Sequence, residues 1–134
     1  MLDFLKVFFP KWNFFNTFNH LPILQYKSST SEVWIDVFPE LERSELSFLL
    51  NPSVNYHYAC SNHLFTWLQE LKYLKEPTVK DIEQTLSYKI TEKIVSFELR
   101  KNQSIERFQF RLLLRSPITE NEDIIFISRV IQCN

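Results

Sequence analysis

The residue types best suited to chemistry fall in one short run, His57-x-x-Cys60-x-x-His63. Two imidazoles and a thiol are the usual ligands of zinc, and a thiol beside an imidazole is also the pairing that makes a cysteine nucleophile. The spacing argues against both. On a helix each step of three residues turns back about 60°, so His57 and His63 diverge by about 120° with Cys60 between them. No third group to orient His63 as a base can be named. The expectation is a set of ordinary helix residues, with no catalytic residue, no metal and no cofactor. Asp36, Glu40, Glu42 and Glu45 lie close together, but a polar connecting segment has the same composition, and acid–base work needs a buried carboxyl that no sequence displays. A third group is cationic: Arg107, Arg111, Arg115 and Arg129, with Arg100 and Lys101 before them. In an extended strand Arg107, Arg111 and Arg115 share one face, which could meet phosphates, anionic lipid or an acidic protein. Glu98, Glu106, Glu120 and Glu122 are at hand to pair with them, and no aromatic residues are interleaved on that face to stack bases. A salt-bridged solvent face is therefore expected, and nucleic acid is the disfavoured partner.

The chain has 134 residues and a formal net charge of −1, which sets aside bulk attraction to nucleic acid. It contains no glycine, where average usage would give roughly nine. Phosphate-cradling loops, dinucleotide fingerprints and the nucleophile elbow each need a residue without a Cβ at a fixed place. Those function classes are excluded in their usual forms, and turns fall to Asn, Asp, Ser and Pro. Cys60 and Cys133 could form one bridge or remain reduced; the first in a predicted helix and the second at the chain end favour two free thiols.

What must position these groups is read from periodicity. In Arg107–Arg115, Phe108, Phe110, Leu112 and Leu114 alternate with Arg107, Gln109, Arg111 and Arg115, interrupted only by Leu113. Alternation of this kind is a half-buried strand that needs a neighbour on each edge and a cover on its apolar side. Two earlier runs, Ile23 to Lys27 and Glu32 to Phe38, flank Ser28-Ser29-Thr30-Ser31 and read as a hairpin, in which Asp36 marks the set Trp34, Asp36, Phe38 as outward and Val33, Ile35, Val37 as inward. Residues 40 to 50 suit a short helical turn. Asn51-Pro52 starts a helix reaching about residue 75, with Val54, Tyr58, Leu64, Phe65, Leu68 and Leu71 on its apolar face and Trp67 and Leu74 widening it. Thr78 caps a second, whose Val79, Ile82, Leu86, Ile90 and Ile94 recur at helical spacing; from Val95 either a strand begins or the helix continues to about 98. Ser116 to Asn121 turns the chain into a last strand, Ile124 to Ile131, apolar enough to be flanked or covered on both sides. The order ββ, αα, ββ predicts an α+β fold: an antiparallel sheet of about four strands with two helices packed on one face. Residues 1-20 read as an aromatic arm or membrane-proximal segment, and 21-134 as the single domain.

The arm carries Phe8, Phe9, Pro10, Lys11, Trp12, Phe14 and Phe15, which suits either a helix or extended arm packing its aromatics on the domain's own core or a segment at the membrane–water boundary; its apolar stub is far short of the ~20 residues that span a bilayer. The block Phe9-Pro10-Lys11-Trp12-Asn13-Phe14-Phe15 resembles the one that follows the single membrane helix in a group of small, uncharacterised bacterial proteins. In these a Pro-x-Pro pair and a strand come next, and some go with membrane proteins resembling the vitamin-K-dependent carboxylase. Leu24-Gln25-Tyr26-Lys27, Asn51-Pro52 and Phe108-Gln109-Phe110 stand where those proteins have a strand with Tyr and a basic residue, an Asn-Pro helix start and a Gln-Phe strand. Thr17 and Asn19 replace the two prolines, and no full membrane helix precedes the block. The resemblance implies a membrane-tethered domain and carries no catalytic residues.

These readings converge on a non-enzymatic, membrane-proximal bacterial domain that works by protein contact. Phe8, Phe9, Lys11, Trp12, Phe14 and Phe15 are its expected partner or membrane contact, and Arg107, Arg111, Arg115 and Arg129 its basic face. A cytosolic immunity- or inhibitor-type protein that blocks a partner is the competing class, and an enzyme with an unrecognised site the third.

Overall fold

The computed structural model describes residues 20–38, 52–101, 105–116, 118–119 and 121–133. The arm from Phe8 to Phe15, the segment 40 to 50 and the side chain of Val54 lie outside the described residues. The architecture is α+β: an antiparallel five-stranded sheet in the order β2-β1-β3-β4, with β5 on the same side of β3 as β4. The strands are β1 (Leu21–Ser28), β2 (Ile35–Asp36), β3 (Arg107–Arg115), β4 (Glu122–Ile127) and β5 (Ile131–Gln132). The helices are α1 (Pro52–Tyr73), α2 (Val79–Gln84) and α3 (Leu86–Arg100), of which α1 and α3 are the long ones.

β3 is the axis of the sheet. Its whole length pairs with β1, from Leu21 opposite Arg115 to Ser28 opposite Phe108. On its other edge β4 pairs with residues 111–115 and β5 with Arg107 and Phe108. Phe108, Phe110 and Leu112 are fully buried and join Leu24, Trp67, Tyr88, Val95, Leu99 and Phe126 in one core. Trp67 sits inside an aromatic cage, its ring 6.3 Å from those of Tyr88 and Phe110 and 5.7 Å from Phe126. Its indole N–H has no hydrogen-bond partner among the described residues.

Several details depart from the periodicity. The second predicted helix is two helices, because Thr85 adopts an extended conformation between them. Its hydroxyl donates to the Ile82 carbonyl at 2.7 Å and accepts from the Tyr88 N–H at 3.2 Å, ending α2 and starting α3 with one side chain. The break rotates the buried face: Tyr88, Thr91, Val95 and Leu99 turn inward while Val79, Leu86 and Ile90 are exposed. From Val95 the chain stays helical through Arg100, so no strand begins there. On α1 the inward line is Cys60, Leu64, Trp67 and Leu68, and Tyr58 is exposed. In the hairpin Val37 is buried and Phe38 packs on the core, whereas Val33 and Ile35 are exposed; β2 is a two-residue strand that pairs only with β1 among the described residues. Leu113, on the arginine face, is fully buried between its cross-strand neighbours Ile23 and Ile124, and Leu114 is only half-buried.

The last predicted strand is divided. Ser128 leaves the ladder and bonds with its side chain: its hydroxyl accepts from the Phe110 N–H at 2.9 Å and its own N–H donates to the Phe110 carbonyl. β4 and β5 thus share one edge of β3 and no further strand pairs with β4 among the described residues. Among the described residues the apolar run from Ile124 is paired along one side only, where the sequence suggested a strand flanked or covered on both. Without glycine, the one left-handed backbone among the described residues falls on Glu76, at φ 45°, between α1 and Pro77. That conformation crowds the Cβ of any L-residue.

Candidate functional site

The residues singled out for chemistry are sent to separate surroundings by α1. His57 lies against the Phe38 ring at 5.0 Å. Cys60 is buried, and desolvation pushes its thiol above the ordinary value, the opposite of what activates a nucleophile. His63 faces α3. Its Nε2 lies 3.2 Å from the Ser87 carbonyl and 3.0 Å from Thr91 Oγ1, while the Thr91 hydroxyl already donates to that carbonyl. A neutral imidazole donating from Nε2 satisfies the arrangement, and burial holds the His63 pKa below its usual value. Among the described residues no group of three or more His, Cys, Asp or Glu could hold a metal ion. Both cysteines are free, with Cys133 Sγ 3.9 Å from the Ser96 carbonyl. Of the four clustered carboxylates only Asp36 is described.

Asp36 belongs to the arginine face. Cross-strand register places Asp36, Gln25 and Arg111 in one row over β2, β1 and β3. Gln25 is buried, donates to Asp36 Oδ1 at 2.6 Å and accepts from Arg111 Nε at 2.8 Å. The Arg111 guanidinium lies 4.5 Å from the centre of the Trp34 ring, which Lys27 approaches at 5.2 Å. Arg115 bridges Asp36 at 3.2 Å and Glu122 at 2.8 Å, and the hydrogen bond it donates to Asp36 leads the causes that raise its pKa. Arg129, remote from this row, is clamped by both carboxylate oxygens of Glu83. Arg107 is exposed at the start of β3.

A different surface is the more open one. The rotation of α3 leaves Leu86 71%, Ile90 38% and Phe97 53% exposed. Tyr56, Ile90, Lys93, Ile94 and Phe97 line a shallow apolar groove of about 310 Å3 between α1 and α3. Its floor at one end is built: the Tyr56 and Phe97 rings stand edge to face at 6.2 Å, and Lys101 covers Phe97 at 4.9 Å while binding both oxygens of Glu98. The Tyr56 hydroxyl is pushed well above the ordinary phenol range, first by burial and then by Cys60 and Glu98 beside it. Sequence reasoning counted Ile90 and Ile94 as core. The polar Thr91 disguised the true inward face, and the capping hydroxyl of Thr85, which breaks the helical line, was the signal against it.

Among the described residues no helix is long and apolar enough to cross a membrane. The chain matches no protein-family model, no curated protein and no solved structure.

Proposed function

We propose that this chain is a non-catalytic interaction domain that binds a protein partner through the Tyr56–Ile90–Ile94–Phe97 groove. One observation carries the reading: α3 has two apolar sides, one seated on the sheet and the other left in water. Apolar surface held open by a rigid helix pair favours an apolar segment from another chain, while contiguous exposed patches are otherwise rare on monomers. Lys89 and Lys93 stand exposed on the same helix, so the fitting segment carries aliphatic or aromatic anchors and a carboxylate beside them. The arginine face supports the same reading by contrast, because Arg111, Arg115 and Arg129 spend their donors on Gln25, Asp36, Glu122 and Glu83. Nucleic acid stays the disfavoured partner.

The test is affinity capture of the intact chain from its source cells, repeated with Phe97→Asp. Phe97→Asp removes the captured partner and keeps the native circular dichroism; Ile118→Asp, at a still more exposed site beyond β3, retains the partner. Equal capture by both variants contradicts the groove.

The composition of residues 1–15 favours a second, compatible role, attachment of the domain to a bacterial membrane surface by Phe8, Phe9, Lys11, Trp12, Phe14 and Phe15. The intact chain then floats with liposomes and a chain lacking residues 1–15 does not. Equal behaviour of the two removes the membrane role and favours the cytosolic blocking protein.

A further inference from the structure

We infer that the segment fitting the α3 groove is an acidic amphipathic helix of about three turns, its apolar side in the groove and its carboxylates beside Lys89, Lys93 and Arg100. The inference rests on the groove being the partner surface and adds what fills it. The exposed residues of α3 sort by chemistry. Leu86, Ile90 and Ile94 follow at steps of four and Phe97 comes three later, so they form one line along the helix. Lys89, Lys93 and Arg100, all exposed, recur at steps of four and seven and run beside that line. Theirs is the flank away from α1, since Ser87 and Thr91 on the other flank meet His63 of α1. Among the described residues no ion pair holds any of the three, whereas Lys101, at the end of the apolar line, is tied to Glu98. Across the groove, α1 has no Asp, Glu, Lys or Arg before Glu70. The groove therefore has one neutral wall and one cationic rim.

Charge and shape select the occupant. A second copy of this chain would set the same cationic rim against itself. The aromatic arm offers one carboxylate, Asp3, beside Lys6 and Lys11, a poor match to three cations. A lipid surface supplies anions, but Tyr56, Ile94 and Phe97 line a concavity, which a ridge of side chains on a helix fills and a bilayer surface does not. The apolar line from Leu86 to Phe97 is about 16 Å long at ~1.5 Å per residue, which sets the length of the partner helix.

Fluorescence anisotropy of labelled synthetic helices, titrated with the intact chain, tests this. The probes are three peptides of about fourteen residues, each held helical by a side-chain staple. The first has leucines at helical spacing on one side and glutamates along one flank, the second has lysines for the glutamates, and the third has alanines for the leucines. The first binds, and the other two bind at least about tenfold more weakly. Lys89→Glu together with Lys93→Glu, both at exposed positions, keeps the native circular dichroism, weakens the acidic helix by about tenfold and makes the lysine helix the preferred probe. No binding of any helix, or equal binding of the acidic and lysine helices, overturns the inference. Binding of the acidic helix only after residues 1–15 are removed gives the groove to the arm and overturns it too, as does flotation with phosphatidylserine vesicles that the lysine variants abolish while no helix binds. A groove that loses its captured partner in Phe97→Asp yet is indifferent to probe charge keeps the partner reading and removes this one.

Discussion

The two faces of β3 hold the same backbone in opposite ways. Toward the helices, Phe108, Phe110 and Leu112 are dry and pack against Trp67, Tyr88 and Leu99. Away from them, Arg111 and Arg115 are held by directional bonds through Gln25, Asp36 and Glu122. Burial on the first face is non-directional and scales with area, while each polar bond on the second gains only the difference between a protein partner and water. The comparison teaches that the helix side supplies the stability and the arginine side chiefly fixes register. A polar row over three strands cannot survive a one-residue slip.

Breaking the dry side has the largest effect. Trp67→Ala costs about 3–5 kcal/mol, read by denaturant unfolding. Trp67→Phe costs less, since it also removes an indole N–H that is buried without a partner among the described residues. Breaking the polar row comes next: Asp36→Ala costs about 1–2 kcal/mol, because it strips a partner from buried Gln25 and from Arg115 together. In a double-mutant cycle Asp36→Ala and Gln25→Ala couple, whereas Trp67→Phe and Asp36→Ala add. Glu76→Gly sharpens the picture from outside both faces. It relieves a left-handed glutamate and stabilises by up to about 1 kcal/mol.

The smallest effect is pH dependence at the helix junction. The His63 pKa is depressed in the folded chain relative to the ordinary 6.5, so folding prefers the neutral ring. Its contribution is fully present above pH 6.5 and is lost as pH falls through the lower folded value. His63→Gln removes that slope between neutral and mildly acid pH in urea titrations. An unchanged slope places it elsewhere.

What the sequence displayed follows from how locally each signal is written. Alternation in Arg107–Arg115 exposed both faces of β3, and the helix start at Pro52 and the Thr78 cap, closed by the Asp81 box, are local rules that held. The groove was hidden for the same reason. Ile82, Leu86, Ile90 and Ile94 form a good apolar line only in an unbroken helix, and Thr85 was read as part of it. A β-branched hydroxyl residue between two helical runs can cap instead of continuing, and that one choice decides which side of α3 meets solvent. The polar row was half legible. Asp36 marked an outward face, but its partnership with Gln25 and Arg111 depends on register across strands far apart in the chain.

The central claim is that the solvent-facing side of α3 is the working surface. Amide hydrogen exchange on the intact chain, alone and with its captured partner, tests it most directly. Slowed exchange over residues 90–101 and around Tyr56, with β1 unchanged, is the predicted footprint. Protection confined to the arginine face, with α3 unaltered, would contradict it.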